Sequence, residues 1–420
     1  MILVSAPACT SAILRVVKRY ALVGTGDRGL DMFARPILTI YSDVAELVGL
    51  HDVNPLRVRA ARDLLGRPDL PAFDSFGSML EHAHPDVVIV ASKDSTHRAF
   101  IVEAMRAGCD VVTEKPMTID DASCREILAT ERETGRELRV AFNYRYAPYF
   151  TKAKELLAAG AIGDVRSVDF HWYLDTDHGA DYFRRWHRRM ENSGGLFVHK
   201  ATHHFDLVNW WVADRPEAVL ASGSLLFYGP TRQERGERCM TCAYADTCEF
   251  HWDVADDDLF RRLYVDAEAG DGYHRDGCVF DPAIDIYDTM TAIVRYERGI
   301  TMSYSLNAYA AYEGVRAAFN GTTGRLELER IESRHLPADE IRIYRFLREE
   351  PEDVISVPRV ADDEHGGGDR RLLDHLLRGA EDDPLGHAAG SLDGAYSVLT
   401  GVAANRSVDT GTWVRIADLL

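Results

Sequence analysis

The stretch RYALVGTGDRGLDMF, residues 19–33, constrains the fold more than any other part of the chain. Ala21, Leu22 and Val23 form a short apolar run suited to a strand buried on both faces. Gly24, Gly26 and Gly29 then follow in the order G-x-G-x-x-G, and a helical pattern comes after them. Where such a turn binds a dinucleotide, the first glycine makes the tight turn and the second admits a pyrophosphate close to the backbone. The third lets helix and strand pack tightly, with the helix N-terminus facing the phosphate charge. A glycine-rich turn with no ligand is the plainer alternative, so the surroundings must decide.

They favour the nucleotide. Strands are predicted at Tyr20–Val23, Glu46–Asp52, Asp86–Ala91, Asp110–Glu114 and Leu138–Asn143, with helices at Pro55–Leu65, Thr96–Ala107 and Asp120–Thr134 between them. This alternation predicts a doubly wound parallel sheet. The second strand ends in LVGLHDVNP and places Asp52 where a ribose needs a carboxylate acceptor. An acid there repels a 2′-phosphate and favours NAD over NADP. Asp27 and Arg28, inside the glycine loop, join Gly24, Gly26, Gly29 and Asp52 as cofactor-side candidates.

At 420 residues the chain is too long for one ordinary core. Residues 1–17 read as a leader and 18–143 as the nucleotide-binding domain. Residues 144–420 read as a second domain for substrate and oligomerisation, with a cysteine-rich insertion at about 231–284. Beyond residue 145 the apolar residues alternate, as in GDVRSVDFHWYLDT, so an α+β domain with an open, mostly antiparallel sheet is expected. Residues 355–370 read as loop, and helices are expected near 369–378 and 391–405.

The net charge of −19 argues against nucleic acid as a partner. No apolar run has the length of a membrane span, and Lys18 and Arg19 follow the first apolar stretch rather than precede it. Seven cysteines, an odd number, fit a reducing compartment, so a cytoplasmic location is expected.

Glu114, Lys115 and Pro116 end the fourth strand, at the edge where open α/β sheets bind ligands. A lysine there can hold a hydroxyl and help move its proton. Taken together, the three glycines, ASKDSTH (91–97), EKP (114–116), SGGLFVHKATHHFDLVNWW (193–211) and the terminal GVAANRS resemble the Gfo/Idh/MocA family. That group includes glucose–fructose oxidoreductase and inositol dehydrogenase. The resemblance implies a Rossmann domain, a tightly held NAD(H) or NADP(H), and hydride transfer at a carbon bearing a secondary alcohol of a sugar or cyclitol. By analogy that carbon is position 3 of a pyranose. A homo-oligomer, dimer or tetramer, is implied through the exposed sheet face.

By the same match Lys115 corresponds to the catalytic lysine and His203 to the proton-transferring histidine of a D-x-x-x-H pattern. Asp94 and His97 fall on the cofactor-side loop, where the family usually has Asn, and Glu114 and Asn143 lie beside the cofactor. The larger departure is His199, where the family commonly has aspartate. Residues 199 and 203 share a helix face. Exchanging a fixed negative charge for an imidazole lowers the pKa of neighbouring cations. Lys115, Lys200 and His203 are therefore expected around the reacting hydroxyl, with His199 tuning the site or binding substrate. A zinc pair at 199 and 203 lacks the intervening glutamate of protease helices. His204, Trp210 and Trp211 read as packing.

Arg145 is a candidate for holding substrate hydroxyls. The segment DTDHGADYFRRWHR (175–188) offers Tyr182, Arg185 and Trp186, among other groups suited to a polyol, and a solvated loop is the plain alternative. Cys239, Cys242, Cys248 and Cys278 suggest structural zinc first and an iron–sulfur cluster second. Redox-active thiols and ordinary buried cysteines stay open as alternatives. The function expected is an NAD-dependent oxidoreductase acting on a small carbohydrate. A glycoside lyase or hydrolase that retains NAD is the first rival, and a non-catalytic NAD-binding regulator the second.

Overall fold

A computed structural model describes residues 17–332, 336–360, 364–379 and 382–420. The expected leader, apart from Val17, lies outside the described residues. Five strands, β1 (Lys18–Val23), β2 (Ala45–His51), β3 (Val87–Val90), β4 (Asp110–Thr113) and β5 (Leu138–Val140), form a parallel sheet in the order β2-β1-β3-β4-β5. Residues 20–23 of β1 and all four of β3 are buried, as strands covered on both faces require. The strand order reverses between β1 and β3, so their carboxyl ends open a crevice. The helices Pro55–Leu64, His97–Arg106 and Asp121–Thr134 lie within a residue of expectation at each end. Their caps follow local chemistry: the Asn54 side chain accepts from Leu56 and Arg57, and that of Asp120 from Ser123.

The second sheet has nine strands. These are β6 (Val165–Asp175), β7 (Pro216–Ser224), β8 (Thr289–Tyr296), β9 (Thr301–Ala310), β10 (Gly314–Gly321), β11 (Arg325–Ile331), β12 (Ala338–Tyr344), β13 (Asp353–Pro358) and β14 (Val414–Arg415). Their order is β13-β12-β11-β10-β6-β9-β8-β7-β14, antiparallel except where β6 runs parallel to β9. Alternation sets its two faces: in β8, Met290, Ala292, Val294 and Tyr296 are buried and the residues between them are not. The stretch expected as loop at 355–370 in fact begins inside β13, which pairs with β12 from Ala338↔Pro358 to Ile343↔Asp353. The last helix runs further than expected, over Ser391–Thr410.

Helix Ala201–Val212 packs inside the second domain, and nearly every residue of it is buried. His204, Trp210 and Trp211 act as packing groups. His204 stacks on Trp172 at 4.4 Å and its Nδ1 meets the Tyr304 hydroxyl at 2.9 Å. The two indoles donate to the Leu385 and Phe150 carbonyls.

Arg145 corrects an expectation. It is 3% exposed, and its guanidinium is committed to the Asp206 carboxylate through bonds of 2.8 and 2.5 Å, to Asp393 at 3.1 Å and to the Gly386 carbonyl at 3.0 Å. Three acceptors leave it no reach toward a substrate. Burial pushes Asp206 up to about 6 even against the pull of Arg145. Arg145→Met would leave that carboxylate sealed without its counter-charge. The expected loss is about 3–5 kcal/mol in urea unfolding; an unchanged midpoint would contradict a structural role for the pair.

Candidate active site

The carboxyl ends of the parallel strands open into a cavity of about 480 Å³. The glycine loop forms one end. Gly24 has φ +90°, and a Cβ there would lie 2.5 Å from the Ala91 carbonyl oxygen; a Cβ on Gly29 would lie 2.2 Å from that of Gly24. The turn therefore admits no side chain at either position, as a close phosphate cradle demands. Asp52 stands just past β2. Its carboxylate accepts from Thr25 N at 2.9 Å and Asn54 N at 2.9 Å, and pairs with Arg57 Nη1 at 3.0 Å. These residues fit a dinucleotide: Gly24, Gly26, Gly29 and their amides would hold its phosphates, and Asp52 its adenosine ribose.

Glu114 and Lys115 lie at the end of β4. Glu114 accepts from Arg28 Nε at 2.7 Å, and Arg28 also pairs with Asp369 at 2.9 Å. Asn143 donates to the same Asp369 at 2.5 Å. His97 pins this corner, its two ring nitrogens facing the carbonyls of Pro116 (2.9 Å) and Ser92 (3.0 Å). Burial lowers the pKa of Lys115 although Glu114 and Asp94 pull it upward.

The central finding is the partner of His199. Its Nδ1 lies 2.5 Å from Asp94 Oδ2, and both side chains are buried. Position 199, where the resemblance implied an aspartate, holds an imidazole, and the turn after β3 brings a carboxylate to it from the other domain. Burial drives Asp94 upward against the pull of the Lys115 and Arg185 cations. Burial and the same cations hold His199 well below the ordinary imidazole range. His199 Nε2 has no protein partner among the described residues, and His199 forms part of the cavity wall.

Other expected residues divide. Tyr182, Arg185 and Trp186 line the cavity with His178, Asp181 and His187. They stand on a helix, Thr176–Arg184, and the turn after it rather than on a solvated loop. Arg185 pairs with Asp181 at 2.7 Å, and the His187 ring packs against that of His199 at a tilt of 57°, centroids 4.1 Å apart. His203 and Lys200 do not reach the cavity wall. His203 is buried, its ring tilted against that of Tyr144 with centroids 4.5 Å apart, and its Nδ1 has no hydrogen-bond partner among the described residues. Lys200 lies over the Trp172 ring at 5.1 Å, and burial brings it down to about 8.

Sequence reasoning missed the cavity's outer wall. Tyr264, Asp271 and Tyr273 come from the cysteine-bearing insertion. The Tyr264 hydroxyl accepts from Asp27 N at 3.1 Å and donates to the Asp27 carboxylate. No local pattern marks a contact between residues 237 apart.

The zinc expectation is not supported. Cys239, Cys242, Cys248 and Cys278 do line one small cavity with His251. Among the described residues, however, no group of three or more His, Cys, Asp or Glu is arranged to hold a metal ion. The Cys239 sulfur accepts from Arg184 Nη1 at 3.3 Å. Ion pairs brace the insertion: Arg238 joins Glu268 at 2.5 Å and Asp276 at 2.8 Å.

No helix among the described residues is long and apolar enough to cross a membrane. Residues 18–142 match the oxidoreductase family's NAD-binding Rossmann fold, and residues 154–416 its C-terminal alpha/beta domain. YteT of Bacillus subtilis (strain 168), an oxidoreductase by name, is 39% identical over 426 residues, spanning 93% of this chain and 96% of the relative. An inositol 2-dehydrogenase of Rhizobium meliloti (strain 1021) is 28% identical over 182 residues, 43% of this chain and about half (52%) of that protein. Two solved structures share the fold at 19% identity. The WlbA dehydrogenase from Bordetella pertussis, in complex with NADH and UDP-GlcNAcA, has a TM-score of 0.64 and covers 96% of this chain and 99% of its own. Apo scyllo-inositol dehydrogenase from Lactobacillus casei has a TM-score of 0.66, covering 96% and 100%. The chain belongs to the Gfo/Idh/MocA family of oxidoreductases and carries that family's NAD-binding domain.

Proposed function

We propose that the chain oxidises or reduces a carbon bearing a secondary alcohol in a sugar, sugar derivative or glycoside, with carbon 3 of a pyranose the first position to test. One observation carries this reading. A single cavity joins the glycine loop and Asp52 to Lys115, the Asp94–His199 pair and a wall of polar and aromatic groups, Tyr182, Arg185 and Trp186. Rings flanked by paired charges suit a ligand whose apolar faces are rimmed by hydroxyls. The bound dinucleotide supplies the hydride acceptor or donor at the nicotinamide.

The protein's own part is proton management. Asp94 holds the Nδ1 proton of His199, which leaves Nε2 with a lone pair for the substrate hydroxyl proton. As Nε2 takes that proton, the Asp94 carboxylate balances the imidazolium. The Lys115 ammonium offsets negative charge on the hydroxyl oxygen. A second reading, a glycoside lyase or hydrolase that keeps its NAD through turnover, is favoured by the Tyr264 cover over the glycine loop. Net accumulation of NADH would contradict it.

The direct test is to denature purified protein, identify the released nucleotide, and then assay inositols, aldoses and methyl glycosides for oxidation. Absence of nucleotide, together with no binding of added NAD, would contradict the reading. With whichever alcohol is turned over, Asp94→Asn is expected to lower kcat by roughly 10²–10⁴-fold with KM little changed, because the amide no longer fixes the tautomer. An unaltered kcat would remove Asp94 from the mechanism. The pH profile follows the two lowered groups. Depression of His199 keeps its lone pair available below the ordinary imidazole range, so the acid limb falls there. Depression of Lys115 brings the alkaline limb in below the ordinary lysine range. An acid limb at or above the ordinary imidazole pKa would contradict the assignment.

A further inference from the structure

The insertion that the cysteines drew attention to has its closest engagement elsewhere, on the dinucleotide site. Leu263 is fully buried and Tyr264 nearly so, in the same apolar cluster as Leu22 and Leu50 of the parallel sheet. Asn54 Nδ2 donates to the Ala267 carbonyl at 2.8 Å, and Arg57 Nε to that of Leu263 at 3.2 Å. These contacts hold residues 258–273 across the opening of the glycine loop. There the Tyr264 hydroxyl takes the Asp27 amide, and a Cβ on Gly26 would lie 3.0 Å from that hydroxyl. Amides of this loop are the donors a pyrophosphate seeks.

The ribose end is closed as well. All three nitrogens of Arg57 are taken: Nη1 by Asp52 at 3.0 Å, Nη2 by Asp271 at 2.9 Å and Nε by Leu263 O. Arg57 is 7% exposed. It is the cation bonded to the ribose-binding acid, so it is the group a 2′-phosphate would recruit. Asp271, from the insertion, holds it away and adds a second negative charge.

We propose that residues 258–273 are a third wall of the dinucleotide site, in which Tyr264 gates entry and Asp271 enforces discrimination against a 2′-phosphate. The dinucleotide would reach the Asp27 amide only when the tyrosine hydroxyl yields, so the hydroxyl competes with it for that donor. Discrimination follows from two carboxylates around one neutralised guanidinium, where Asp52 alone would leave half of that guanidinium available.

The test is stopped-flow binding of NADH and NADPH to nucleotide-stripped protein, with release followed by displacement with excess NAD. Tyr264→Phe keeps the ring and its packing, and Asp271→Asn keeps the side-chain shape; thermal unfolding checks that both fold. In Tyr264→Phe the association rate is expected to rise roughly tenfold with release little changed, so that Kd falls by about the same factor. In Asp271→Asn the affinity for NADPH relative to NADH is expected to rise roughly tenfold. Rates within twofold of the parent, or faster release with unchanged entry, would overturn the gate. An unchanged NADPH to NADH ratio, or equal weakening of both, would overturn the discrimination.

Discussion

The reaction centre proposed above depends on one contact across a domain boundary, the 2.5 Å approach of His199 in the second domain to Asp94 in the first. Neither residue alone makes a base. An imidazole buried among cations and lacking a fixed tautomer would present its lone pair at random, and a buried carboxylate with no partner would be costly. Joined, they form an acceptor aimed at a cavity whose other wall is the carboxyl edge of the parallel sheet. The burial that makes each member unfavourable alone makes the pair specific.

Around that contact the chain arranges positive charge without leaving it free. Arg28 is taken by Glu114 and Asp369, Arg185 by Asp181, and Arg57 by Asp52 and Asp271. Each guanidinium is matched, and among the described residues the lysines at the cavity wall, Lys93 and Lys115, have no carboxylate bonded to them; Lys93 donates to Asn192 Oδ1 at 3.2 Å, and Lys115 ends β4. In the proposed mechanism the Lys115 ammonium, its pKa lowered by burial, stabilises the developing alkoxide.

The parts legible in the sequence were those whose chemistry is local. Gly24, Gly26 and Gly29 are constrained by a turn of a few residues, Asp52 by the length of one strand–helix unit, and Lys115 by a strand end. The alternation of β8 and the continuous apolar runs of β1 and β3 separated the two sheets for the same reason. What could not be read were partners distant along the chain. Asp94 and His199 read in the sequence as two separate departures from a family pattern, and the fold brings them into contact. Arg145 carried the chemistry of a hydroxyl ligand, but Asp206 and Asp393 claim it. The cysteine spacing suggested a chelate, whereas the fold turns Arg184 toward Cys239 and braces the insertion through Arg238. Tyr264 had no signal at all, because a lone tyrosine in an irregular segment has no period to read.

The most direct test of this account is ¹⁵N NMR of the protein labelled in its histidines, with His199 assigned by loss of its signals in His199→Gln. The account predicts that at neutral pH His199 carries its proton on Nδ1 and a bare lone pair on Nε2, and that this tautomer is lost in Asp94→Asn. A His199 protonated on Nε2, or carrying both protons at neutral pH, would contradict the claim that Asp94 prepares it to accept the substrate's proton.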